Sequence, residues 1–154
     1  MSQEQKKILF LEDEPTIREV LKEYMLLSNY QVTEVDHGTK AIELLEQGTY
    51  DLAVLDIMVP GKSGLEVLSY IKDHDPNMGT IMLTALEDEK TQVDAFNRYA
   101  DDYVIKPVSP IILLKRMETI LRRLSIHTKK KKKKNGLLFK EDAYLVYYDG
   151  TLLP

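Results

Sequence analysis

Residues 51–61 read "DLAVLDIMVPG", and the aspartate in their middle decides the fold. Leu52, Ala53, Val54 and Leu55 form a short apolar run with the composition of a strand covered on both faces. Asp56 interrupts it, and Ile57, Met58 and Val59 resume it at once. An ionised carboxylate beside apolar packing is costly unless a partner compensates it. Asp56 therefore marks the place where a buried strand leaves the core and meets polar chemistry.

Working outward, four similar segments accompany this one: "KILFLED", "QVTEVD", "GTIMLT" and "DDYVIK". Stretches of helical length separate them. The first follows Pro15 and places Ile17, Val20, Leu21 and Tyr24 at i, i+3, i+4 and i+7, the spacing of one helix face. The second carries Ala41, Ile42, Leu44 and Leu45 after Gly38, and the third Leu65, Val67, Leu68 and Ile71 after Gly64. A fourth, around residues 88–99, is polar, with Val93 and Phe96 as its apolar anchors. A fifth, "IILLKRMETILRRL", follows Pro110. Strands alternating with helices predict parallel crossovers and a three-layer α/β domain.

In such a sheet the carboxyl ends of the strands share one edge, where α/β proteins place their sites. Here those ends carry Glu12 and Asp13, Asp56, Thr84 and Lys106. Three neighbouring carboxylates repel unless a cation joins them. Mg²⁺ suits them, because it takes oxygen ligands, keeps several waters and leaves room for a phosphate oxygen. Lys106 adds a point charge for the same phosphate and Thr84 a hydroxyl. Asp56 is then a candidate nucleophile, since aspartate forms acyl-phosphate intermediates. A hydrolase of external phosphoesters would use the same groups, and a stand-alone adaptor would share the fold. His37, His74 and His127 lack metal-ligand spacing, and no glycine-rich nucleotide loop follows the first strand.

Composition narrows the remaining classes. The chain has 154 residues, 44% hydrophobic and 30% charged, without cysteine, so disulfides and thiolate metal sites are excluded. No apolar run approaches the ~18 residues of a membrane span, and the polar start MSQEQKK is unlike a signal peptide, so a cytoplasmic protein is expected. The net charge of −4 hides an asymmetry: residues 129–154 hold seven of the 21 Lys and Arg but three of the 25 Asp and Glu. The six lysines at 129–134 repel one another and read as a solvated linker, with nucleic-acid contact a secondary reading. Beyond them, residues 136–154 alternate apolar positions around an Asp149-Gly150 turn, as in a β-hairpin.

"FLEDE", "DLAVLDIMVPGKSGLEVL", "IMLTA" and "ADDYVIKP", in this order and spacing, resemble the acidic pair, phosphoacceptor segment, switch threonine and Lys-Pro segment of bacterial response-regulator receiver domains. The resemblance covers roughly residues 6–124. It implies a CheY-like (flavodoxin-like) α/β/α fold with a five-stranded parallel sheet in the order 2-1-3-4-5. It also implies phosphorylation of Asp56 by a sensor histidine kinase, with Mg²⁺ held by Asp13 directly, by Glu12 mainly through water, by Asp56 and by the backbone carbonyl of Met58. Thr84 and Lys106 would meet the phosphoryl group, Ala85 would leave it room, and Tyr103 would turn inward as an aromatic switch. Met58 and Leu86 would border the path of attacking water, and Lys106-Pro107 would be a cis peptide. Such a protein is a signalling switch, whose only catalysis is its own phosphoryl transfer and autodephosphorylation.

"ADDYVIKP" followed by "LLKRMETILRR" resembles the OmpR/PhoB branch in particular. The resemblance implies a receiver at 1–124, a lysine-rich linker at 125–135, and at 136–154 the opening strands of a winged-helix DNA-binding domain, cut before its recognition helix. Active receivers of this branch pair as homodimers through helix 4, strand 5 and helix 5. Lys90, Asp101, Asp102, Arg116, Arg122 and Arg123 are the candidate pairing residues. Ile112, Tyr99 and Val108 depart from the branch pattern, where a glutamate, a glycine and a phenylalanine are usual.

Overall fold

A computed structural model describes residues 4–85 and 100–133, with side chains through Leu124. Its strands are β1 (Lys7–Leu11), β2 (Gln31–Val35), β3 (Leu52–Asp56), β4 (Gly79–Thr84) and β5 (Asp102–Ile105). The helices are α1 (Pro15–Leu27), α2 (Gly38–Gln47), α3 (Gly64–His74) and a C-terminal helix, Pro110–Lys133. The expected helix around 88–99, with Val93 and Phe96, lies outside the described residues, as do Leu86, Lys90, Tyr99 and the hairpin expected at 136–154.

The strands form one parallel sheet, as the alternation of elements predicts, in the order β2-β1-β3-β4-β5 that the receiver resemblance implies. β3 and β4 are buried at every residue and β1 at all but Lys7, because both of their faces are covered. On one face Leu9, Leu11, Ala53, Leu55 and Met82 pack with Ala41 of α2 and Val67, Leu68 and Ile71 of α3. The alternate residues Ile8, Phe10, Val54 and Ile81 are equally buried. Leu21 and Met25 of α1, and Leu113, Met117 and Ile120 of the C-terminal helix, are buried as well.

α1 departs from its expected face. Leu21 and Met25 are its buried residues, while Ile17, Val20 and Tyr24 are 40%, 45% and 38% exposed. The pair at i and i+4 centres the buried stripe, and the other three lie along its flank, a rotation that apolar spacing alone does not resolve. In the lysine run, expected as part of a solvated linker at 125–135, the backbone is helical through Lys133. Lysine has good helix propensity, and each like-charge pair costs only about 0.2–0.5 kcal/mol. That is too little to stop a helix already nucleated upstream. By internal contacts the sheet-bearing unit is Met1–Leu121, with Arg122–Pro154 a second unit.

Two glycines set the loop that follows β3. α3 opens with a capping box: Ser63 Oγ accepts from the Glu66 N–H, and Glu66 accepts from the Ser63 N–H. Gly64, the next residue, donates its N–H to the Ile57 carbonyl at 3.0 Å, and a Cβ there would overlap the Asp56 carbonyl oxygen. Gly38 donates to the Pro60 carbonyl at 3.0 Å, and a Cβ on it would overlap the Lys62 carbonyl oxygen. Gly38→Ala is therefore expected to destabilise the fold by about 1–3 kcal/mol in urea unfolding. Gly48→Ala, whose Cβ would meet nothing within 4 Å, is the near-neutral control. Equal stability of the two variants would contradict this packing.

Candidate functional site

The parallel register delivers four strand ends to one edge. Leu11 lies beside Leu55, Asp56 beside Leu83, and Thr84 beside Ile105. Glu12 and Asp13 follow β1 directly, and the Glu12 N–H still bonds the Val35 carbonyl at 3.0 Å. Lys106 follows β5, with its N–H on the Thr84 carbonyl at 2.8 Å. Carboxylate oxygens of Glu12, Asp13 and Asp56 come within 4.8 Å of one another.

Asp56 is 1% exposed and compensated on both oxygens. Lys106 Nζ donates to Oδ2 at 2.8 Å, and the Met58 N–H donates to Oδ1 at 3.2 Å. Glu12 is also 1% exposed, and its Oε2 accepts from the Glu14 N–H at 3.1 Å. Its Oε1 is buried with no hydrogen-bond partner among the described residues. A buried orphan carboxylate oxygen beside two further carboxylates is a donor set suited to a hard divalent cation.

Burial first, and the charge of Asp56 second, push the Glu12 carboxyl up from 4.5 to about 7. Between those values the folded chain holds a proton that the unfolded chain has released. Stability must then fall as pH rises through the window. In EDTA, unfolding is expected to become easier from about pH 5 to about pH 8, by on the order of 2 kcal/mol. Glu12→Gln should flatten that slope, and an unchanged slope would contradict the shift.

The remaining candidates fall into place unevenly. Thr84 is buried at the end of β4, and its hydroxyl donates to the Ala85 carbonyl at 3.4 Å rather than to Asp56. Tyr103, paired in register with Met82, is half-buried against the α2/α3-side core. The Lys106-Pro107 peptide is cis. Ile57 is buried, whereas Met58 is 64% exposed, so its side chain lies mostly in solvent.

Among the expected pairing residues, Asp102 and Arg116 form an ion pair within the chain at 3.2 Å. The Asp101 carboxylate accepts from the Thr80 N–H at 2.8 Å and its hydroxyl at 3.2 Å. Arg122 and Arg123 are exposed. His37 caps α2 by accepting the Lys40 N–H, and His74 stacks on Tyr70 with ring centroids 3.9 Å apart.

Sequence reasoning missed Arg18 and Glu34. Arg18 Nη1 donates to the Glu12 carbonyl at 2.9 Å, and its Nε to Glu34 Oε1 at 3.1 Å. Nothing in their spacing distinguishes them from surface charges. Gly64 was legible only as a helix start, not as the residue pressed against Asp56.

Residues 8–118 match the response regulator receiver domain family. This chain belongs to that family. The receiver is 37% identical to the transcriptional regulatory protein ResD of Bacillus subtilis, over 94% of its own length and 63% of ResD. It is also 37% identical to the regulatory protein VanRB of Enterococcus faecalis, over 96% of its own length and 66% of that relative. The chain thus spans somewhat under two thirds of these relatives. Among solved structures, it superposes on the OmpR/PhoB homologue DrrB of Thermotoga maritima with a TM-score of 0.69 and 32% identity. That match covers 78% of this chain and 54% of DrrB. A CheY-like receiver domain from Methanospirillum hungatei gives 0.73 at 28% identity, covering 80% and 99%. The sheet order is the CheY-like one, and the chain carries the receiver of a two-component response regulator. Among the described residues, no helix is long and apolar enough to cross a membrane.

Proposed function

We propose that this receiver is the phosphorylation-controlled half of a cytoplasmic transcription regulator, with Asp56 as the phosphoryl acceptor. The observation that carries the reading is Asp56 itself: a carboxylate 1% exposed, 2.8 Å from Lys106 Nζ, and clustered with Glu12 and Asp13. Glu12, Asp13, Asp56 and the Met58 carbonyl would hold Mg²⁺. When bound, that ion offsets the clustered negative charge and the charge spread over the phosphoryl oxygens.

An Asp56 oxygen attacks the phosphorus of a phosphohistidine on the sensor kinase. The P–N bond breaks, the kinase histidine leaves, and an acyl phosphate forms on Asp56. Lys106, already on the Asp56 carboxylate, keeps its ammonium for the new phosphoryl oxygens. The Thr84 hydroxyl, held among the described residues by a 3.4 Å bond to the Ala85 carbonyl, follows it. Ala85 is small enough to admit the group, and Tyr103 fills the space that Thr84 leaves. The added charge thereby shifts the population of the face around β5 towards a form that dimerises.

Asp101, Asp102, Lys90, Arg116, Arg122 and Arg123 are the pairing residues in this proposal. The internal Asp102–Arg116 pair would exchange for one across the dimer. Residues 1–124 act as the receiver, the lysine-rich segment 125–135 as a connector, and 136–154 as the start of a DNA-binding domain. With Mg²⁺ and a small acyl phosphate, sedimentation velocity is expected to show monomers becoming dimers. A chain that takes up the phosphoryl group and stays monomeric would contradict this output.

A further inference from the structure

Glu12 is fixed at nearly every polar atom it has. Its N–H is on Val35, its carbonyl on Arg18 and its Oε2 on Glu14, which leaves Oε1 without a partner among the described residues. Arg18 is itself gripped. Its Nε donates to Glu34 Oε1 at 3.1 Å, while Lys22 holds the other Glu34 oxygen at 2.7 Å. Edge strand β2 therefore reaches the acidic pair twice, through the Val35 carbonyl and through Glu34 by way of Arg18.

We infer that Arg18, aimed by Glu34, is a positioning residue that sets how tightly the acidic pair takes a divalent cation. The inference rests on the Mg²⁺ reading above. The guanidinium sits on the Glu12 main-chain carbonyl, and turned towards the carboxylate it would compete with a cation there. Glu34 neutralises that guanidinium and fixes its plane, so that Nη1 is directed at the Glu12 carbonyl. The planar fork lets one side chain meet a carboxylate and a carbonyl together, which a lysine ammonium at the same position does less well. Removing Glu34 while keeping Arg18 frees the cation to fold over the carboxylates. Removing Arg18 loosens Glu12 but also removes the competitor.

This arrangement has a signature that a merely structural role lacks. Mg²⁺ titration of the full chain, followed by tyrosine fluorescence or amide chemical shifts, is the test. Glu34→Gln is expected to weaken Mg²⁺ binding about tenfold and Arg18→Met about threefold. The double variant should bind like Arg18→Met, so that the second substitution restores affinity lost in the first. Arg18→Lys should fall short of the wild type. Met117→Ala, a buried change in the C-terminal helix, should lose stability yet bind Mg²⁺ normally. Unchanged binding by Glu34→Gln, or a double variant weaker than Glu34→Gln alone, would overturn the inference and leave the Mg²⁺ site standing. A wild-type chain that binds no Mg²⁺ would overturn both.

Discussion

Asp56→Asn is expected to abolish phosphoryl acceptance and, without Mg²⁺ near pH 8, to stabilise the fold by about 1 kcal/mol. The two effects share a cause. Asp56 and Glu12 are both buried, and their charges oppose each other, with Lys106 acting on both. Asparagine keeps the acceptor that the Met58 N–H uses while deleting one of the repelling charges. Lys106 is then left to balance Glu12. The same substitution removes the only atom type at this position able to form an acyl phosphate. Urea unfolding in EDTA checks the first effect. A destabilised Asp56→Asn chain would show that the ion pair with Lys106 outweighs the carboxylate repulsion.

Lys106→Ala should act in the opposite direction on stability. It strands a carboxylate that is 1% exposed, and removing one partner of a buried pair costs several kcal/mol. Lys106 is itself 29% exposed, so water replaces part of the interaction and the expected loss is about 2 kcal/mol in EDTA. Mg²⁺ should restore most of it, because the ion supplies the missing positive charge. Mg²⁺ affinity should hold or tighten, since a competing ammonium is gone. Dimerisation after acyl-phosphate treatment should fall at least tenfold, about 1.4 kcal/mol, because Lys106 serves the phosphoryl group rather than the metal. Equal losses of Mg²⁺ binding and dimerisation would remove that assignment.

The fold was legible because its strands are short apolar runs ending in polar residues. β3 shows it most clearly, with Leu52 to Leu55 buried and Asp56 closing the strand. Glu12, Asp13, Asp56 and Lys106 could be placed together from topology alone, since parallel strands bring their carboxyl ends to one edge. The exposed flank of α1 was harder. Ile17, Val20 and Tyr24 fit an apolar stripe as well as Leu21 and Met25 do, and only the sheet decides between them. Arg18 and Glu34 were illegible for a related reason. Each is an ordinary surface charge in its own element, and they meet only because α1 packs beside β2. The lysine run was read by charge repulsion alone, which omitted the helix propensity of lysine and the helix arriving from Pro110.

The most direct test of the central claim is the intact mass of the chain after incubation with Mg²⁺ and a small acyl phosphate. The wild type should gain the mass of one phosphoryl group, lose it in hydroxylamine, and fail to gain it in EDTA. Asp56→Asn should gain nothing under the same conditions. Label on Asp56→Asn, or multiple turnover of an ordinary phosphoester by the wild type, would contradict the account.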